Sequence, residues 1–105
     1  MSLSLSILPA AENDLSKIGD YFDERDDTLS QRFYRQFMKT VQILATSPTL
    51  GERCRFHNPK TKGMRVWQVD GFSNYLIFYR SKDSVLQILR VIHGARNYET
   101  IFNNE

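Results

Sequence analysis

The sequence predicts an α+β fold: an N-terminal strand, an antiparallel helix hairpin packed on a mainly antiparallel β-sheet, and a short C-terminal helix. Three observations carry this. Tyr75-Leu76-Ile77-Phe78-Tyr79 is an unbroken aromatic and aliphatic run bounded by Ser73-Asn74 and Arg80-Ser81, which marks a strand buried on both faces and the centre of the sheet. Upstream, two amphipathic stretches are separated only by the charged cluster Asp23-Glu24-Arg25-Asp26-Asp27, which leaves room for a tight turn and little else. Downstream, Val85 to Ile92 forms a second apolar strand after a short polar turn.

Each element has its own local cause. Leu3, Leu5 and Ile7 alternate with Ser2, Ser4 and Ser6, the period of a strand with one apolar face. Pro9 ends it and suits the first turn of a helix, where a missing N–H costs little. From Ala10 to about Arg25, Leu15, Ile18, Tyr21 and Phe22 recur at steps of three and four, an amphipathic helix with Glu12 and Asp14 near its N-terminus. The acidic cluster supplies an N-cap for a second helix starting near Thr28. Its stripe is Leu29, Phe33, Phe37, Val41 and Leu44, and Ser47-Pro48 stops it. Both stripes need a hydrophobic surface, which the sheet provides.

Thr49 to Gly63 lacks periodicity and contains Gly51, Asn58-Pro59 and Gly63, so it is expected to be an exposed basic loop. Met64 to Val69 reads as a strand with Met64, Val66 and Gln68 on one face and Arg65, Trp67 and Val69 on the other. Asp70-Gly71 begins the turn into the central strand. After the last strand, Asn97 is placed to cap a short helix carrying Tyr98, Ile101 and Phe102.

Composition narrows the function classes. A chain of 105 residues, 41% hydrophobic and 25% charged, fits one domain spanning 1–105. No apolar run is long enough to cross a bilayer. No basic stretch followed by an apolar core opens the sequence, so the expected location is the cytoplasm and no membrane partner is expected. Cys54 is the only cysteine, and the two histidines have no ligand spacing; neither a disulfide, a metal site nor a cofactor is expected. The net charge of +2 conceals an asymmetry: residues 12–27 hold seven acids against two bases, and residues 28–65 hold eight bases against Glu52 alone. A basic middle of this kind suits an acidic partner or a phosphate backbone, or is an ordinary solvated surface.

Candidate functional residues cluster around the sheet's rim. His93 and Arg96 follow the last strand. His93 has a pKa class suited to acid–base work, or else packs as a strand-end histidine under the C-terminal helix. Arg65 and Trp67 share a strand face, which suits protein or base recognition if exposed and core packing if turned to the helices. Arg90, inside an apolar strand, requires a partner, and a buried ion pair with an acid from a neighbouring element is expected. Glu99 is spaced to pair with Arg96 across one helical turn.

The succession Asp14-Leu15-Ser16-Lys17-Ile18-Gly19-Asp20-Tyr21, Arg32-Phe33, Ser47-Pro48-Thr49-Leu50-Gly51, Asn74-Tyr75-Leu76-Ile77-Phe78-Tyr79-Arg80 and Ile88-Leu89-Arg90-Val91-Ile92-His93-Gly94-Ala95-Arg96 resembles the ParE/RelE superfamily of bacterial toxins. It is most similar to the ParE, or plasmid-stabilisation, branch, over about residues 5 to 102. The resemblance implies a toxin of a type II toxin–antitoxin pair, held inactive by a cognate antitoxin protein and reaching operator DNA only through it. In the ParE branch the implied target is DNA gyrase, inhibited by binding. In the RelE branch the implied activity is metal-independent cleavage of messenger RNA on the ribosome. A degenerate toxin, kept only as the antitoxin's partner in operon repression, is the third reading.

The two branches need different residues. RNA cleavage requires groups that move protons and cations that stabilise a phosphorane-like transition state. Of the positions that supply these in the RNA-cleaving branch, a lysine pair aligns with Arg65 and Trp67, an arginine with Leu76, another with Arg96, and a tyrosine with Phe102. Only the cations survive. The sequence therefore favours a gyrase-binding toxin with no catalytic residues, using Arg65, Trp67, His93, Arg96 and Tyr98 to bind target or antitoxin; the nuclease reading would use Arg65, His93 and Arg96.

Overall fold

The computed structural model describes residues 2–103, so Met1, Asn104 and Glu105 of the expected 1–105 span lie outside the described residues. Its elements run β1 (Ser4–Ile7), α1 (Pro9–Asp23), α2 (Asp27–Thr46), β2 (Glu52–Arg53), a 3-10 turn (Pro59–Thr61), β3 (Arg65–Val69), β4 (Phe72–Lys82), β5 (Val85–His93) and α3 (Tyr98–Asn103). The sheet order is β1-β5-β4-β3-β2. β1 pairs parallel with β5, through Ser4 opposite Val85 to Ile7 opposite Ile88. All other pairs are antiparallel. The predicted architecture is therefore the observed one, with β4 at its centre.

Two cores explain why β4 is apolar on both faces. On one side, α1 and α2 bury Leu15, Phe22, Phe33, Phe37, Val41 and Leu44 against Ile77, Tyr79, Ile88 and Val91. On the other, Phe78, Met64, Ile92 and Phe102 form a smaller cluster under α3, joined by Phe56 and Tyr98. Each fully buried aliphatic or aromatic side chain contributes roughly 1.5–3 kcal/mol on transfer from water, so the hairpin face dominates. Asp26 caps α2 as expected, its side chain accepting the Thr28 N–H at 2.9 Å. The Tyr34 ring packs beside Gly19 of α1, and its hydroxyl donates to Leu15 O at 3.1 Å. Among the described residues no helix is long and apolar enough to cross a membrane.

Some expectations change. Residues 49–63 are not simply an exposed loop. Glu52 and Arg53 pair with β3, and Gly51, Asn58 and Thr61 are buried. The buried Tyr79 hydroxyl explains the tether: it donates to Pro48 O at 2.8 Å and accepts the Gly51 N–H at 2.9 Å. Tyr21 stands 48% exposed rather than in the α1 stripe. Leu15, Ile18 and Phe22 complete that stripe, and Tyr21 sits on its flank with the Arg25 guanidinium 3.6 Å from its ring centroid. Leu5 also remains 39% exposed, because β1 is an edge strand.

Candidate protein-binding site

The site begins where β1 runs out. β1 accompanies β5 only as far as Ile88, whereas β5 continues to His93. Over the remaining edge lies α1, and Asp14 acts in place of the missing strand. Its carboxylate accepts the Val91 N–H at 2.9 Å and two hydrogen bonds from Arg90, at 2.7 and 2.8 Å. This is the ion pair expected for Arg90. The pairing register jumps beside it, from Phe78 opposite Arg90 to Tyr79 opposite Ile88, and such a bulge re-aims the side chains next to it. The guanidinium's hydrogen bonds to Asp14 hold it protonated, raising the Arg90 pKa.

Beyond Asp14 the edge opens into a cleft of about 310 Å³ between α1 and the end of β5. Ile18, Tyr21 and Tyr75 give it an apolar and aromatic lining, and Lys17, His93 and Arg96 also border it. Tyr75 and His93 are cross-strand partners whose rings meet edge to face, centroids 5.0 Å apart. Burial raises the Tyr75 pKa, so its phenol stays neutral and able to donate. His93 Nδ1 accepts the Ala95 N–H at 3.0 Å. In the neutral ring the proton therefore sits on Nε2, and Nδ1 is already occupied as an acceptor. Arg96 is exposed, and among the described residues no ion pair holds its guanidinium. The expected Arg96–Glu99 pair does not form among them.

The five residues singled out from sequence fall in four places. His93 and Arg96 border this cleft. His93 faces the hairpin side, against Tyr75, not the underside of α3. Tyr98 lies on the opposite face, its ring 5.3 Å from Phe78. Trp67 is half-buried against the hairpin core, which settles its orientation. Arg65 Nη1 donates to Gly51 O at 2.8 Å and so helps brace the loop. Asn97 does cap α3, accepting the Thr100 N–H at 3.3 Å.

Arg65 and His93 are also far apart. Arg65 lies opposite Tyr79 of β4, and His93 lies opposite Tyr75. Two strand spacings and four residues of rise put their Cα atoms roughly 16 Å apart, and Arg65 Nη1 is bonded to Gly51 O, so the structure does not bring the two side chains together. No group of His, Cys, Asp and Glu able to hold a metal occurs among the described residues. Lys17 and Tyr21 escaped the sequence reading because they lie on α1 beside a conventional apolar stripe. The available signal was Tyr21 itself, one position short of the seven-residue step from Leu15 to Phe22, with Arg25 one turn on.

A family model described as the ParE toxin of type II toxin–antitoxin system, parDE, matches residues 5–98. Among solved structures the chain is similar to one titled as the chromosomal ParDE TA system from P. aeruginosa. The TM-score is 0.70 at 20% identity, and the match covers 88% of this chain and 96% of that one. No curated protein matches.

Proposed function

The chain belongs to the family of ParE toxins of type II toxin–antitoxin systems, and from that premise we propose that it is a cytoplasmic toxin that inhibits DNA gyrase by binding it and is neutralised by a cognate antitoxin. The observation that carries this reading is the cleft at the open end of β5. Its lining of Ile18, Tyr21 and Tyr75, with cations at Lys17 and Arg96, has the composition of a protein-binding hot spot, where aromatic and arginine anchors dominate affinity. It lacks what RNA cleavage needs. The Leu76 position carries no arginine, the Phe102 ring is buried without a hydroxyl, and the Cα atoms of Arg65 and His93 are about 16 Å apart by strand geometry.

Purified chain, freed of antitoxin, is expected to inhibit gyrase supercoiling, and adding the antitoxin is expected to restore it. Cleavage of ribosome-bound messenger RNA without gyrase inhibition would overturn the reading in favour of the nuclease. Inactivity in both assays, with antitoxin-dependent operator binding intact, would mark a degenerate toxin. Arg96→Ala is the informative variant, because it removes a cation from the cleft without touching a core residue.

A further inference from the structure

The basic segment that looked like a loop is the β2–β3 hairpin, and its construction argues for a use. Arg53 lies directly opposite Arg65, and the ladder continues through the Cys54 N–H to Met64 O at 2.8 Å. Like charges placed opposite each other weaken a ladder, and since Arg65 is engaged by Gly51 O, it is Arg53 whose charge local folding does not call for. The tip, residues 55–63, is held from several sides. Asn58 Oδ1 accepts the Lys60 N–H at 2.9 Å, and Arg80 donates to Lys60 O at 2.9 Å. Phe56 stacks on Phe102 with centroids 5.1 Å apart, and the His57 N–H donates to Asn103 Oδ1 at 2.8 Å. On this braced frame Arg53, Arg55, Lys60 and Lys62 are all exposed, and among the described residues none of them is in an ion pair. Cations presented on an ordered scaffold lose less entropy on binding than those on a mobile loop.

We propose that this hairpin binds the phosphate backbone of duplex DNA directly, without sequence preference and without the antitoxin. Three features select that partner. The uncompensated charge of four exposed cations matches a polyanion, whose condensed counterions are released on contact. Phe56, the hairpin's aromatic ring ahead of Trp67, is committed to Phe102, so the exposed His57 imidazole is the tip's one free ring, too few to stack successive unpaired bases as single-strand binders do. Thr61, the hairpin's one hydroxyl, donates inward to Asn58 O at 2.6 Å, so the exposed groups are cations that pair with phosphate and include no hydroxyl to add contacts to the 2′-hydroxyls of an RNA duplex. The proposal goes beyond the gyrase reading and stands apart from it, since neither gyrase nor antitoxin enters the test.

The test is fluorescence anisotropy with a labelled random-sequence duplex of roughly 20 bp, read at about 50 and about 200 mM salt. With four phosphate contacts and a slope of about −0.9 per contact, affinity is expected to fall by about 100-fold between the two. Arg53→Gln/Arg55→Gln/Lys60→Gln/Lys62→Gln should abolish most of the binding and flatten the slope. Lys62→Gln alone, at an exposed position, should reduce the slope by about one and keeps the test decisive if the fourfold variant folds poorly. Arg32→Gln/Arg35→Gln, on α2, should bind as the parent does. Binding that ignores salt, or that is unchanged by Lys62→Gln and lost in the α2 variant, would overturn the proposal. Equal or tighter binding to an RNA duplex or to single-stranded DNA of the same sequence would overturn the choice of duplex DNA.

Discussion

Asp14 grips Arg90 through both carboxylate oxygens, at 2.7 and 2.8 Å, while one of them also accepts the Val91 N–H. One side chain thereby closes the sheet edge that β1 leaves open and fixes the floor of the cleft. Asp14 is buried at 7% exposure, whereas the Arg90 side chain keeps 24%. Asp14→Ala strands a partly buried guanidinium and a backbone N–H together. Breaking a buried pair costs about 3–5 kcal/mol, and the solvent access of Arg90 lowers the expected loss to about 2–3 kcal/mol. Asp14→Asn retains an acceptor and should cost less. Urea denaturation of both variants checks the order; equal losses would mean that the carboxylate's charge carries the whole effect and that a neutral acceptor restores none of it.

Tyr79 and Gly51 form the second fixed point. A Cβ at Gly51 would lie 2.6 Å from the Tyr79 hydroxyl and 2.7 Å from Val66 O, so Gly51→Ala must displace backbone or break the tether. Tyr79→Phe removes the hydroxyl that serves Pro48 O and the Gly51 N–H and leaves a buried donor unpaired, at about 1–3 kcal/mol. Both variants should lower the thermal midpoint. Because they loosen the same tether, their combined loss should fall short of the sum of the single losses. Full additivity would disprove the coupling.

Periodicity exposed the two helices and the sheet because Phe33, Phe37, Val41 and Leu44 and the run around Ile77 need only local spacing to be recognised. The Asp26 cap and the partner requirement of Arg90 were legible for the same reason: each follows from one residue's chemistry. The order within residues 49–63 was not, since it depends on a phenol 28 residues away reaching the Gly51 N–H. Trp67 could not be oriented from alternation alone, which gives two faces but not which one meets the hairpin. The cleft was half legible. His93 and Arg96 follow an obvious strand end, whereas Lys17 and Tyr21 become site residues only because β1 stops at Ile88 and α1 crosses the gap.

Cys54 gives a pH test of the hairpin's packing. Burial first, and the nearby Glu52 charge second, push its thiol up to about 11. The thiolate is the reactive form, and at pH 8 only about 0.1% of such a thiol is ionised. Alkylation by iodoacetamide should therefore be slow at pH 8 and accelerate about tenfold per pH unit as long as the fold holds. Linkage gives the matching stability trend. The folded-state pKa lies above that of the unfolded thiol, so the unfolded chain ionises first and stability falls as pH rises from about 9 towards 11. Rapid alkylation near pH 8 would show that the β2–β3 hairpin opens readily.

Arg96 and Lys60 separate the cleft from the basic hairpin. Arg96 follows the rigid end of β5, where the Gly94 N–H donates to Asn74 O at 2.7 Å and the Arg96 N–H to His93 O at 3.0 Å. Its guanidinium is thus presented beside Tyr75 and His93 at the cleft. Lys60 is one of four exposed cations on the hairpin, and losing one contact of several weakens a phosphate interaction only modestly. Central arginine anchors cost about 2 kcal/mol or more when truncated. Arg96→Ala should accordingly weaken growth inhibition and gyrase affinity by about 30-fold, and Lys60→Ala by only a few-fold. Neither side chain belongs to either core, so both variants should melt with the parent. Dose-response curves for growth inhibition, at matched levels of folded protein, measure the ranking directly. Equal effects of the two substitutions would overturn the ranking and leave the cleft with no special part in the toxic interaction.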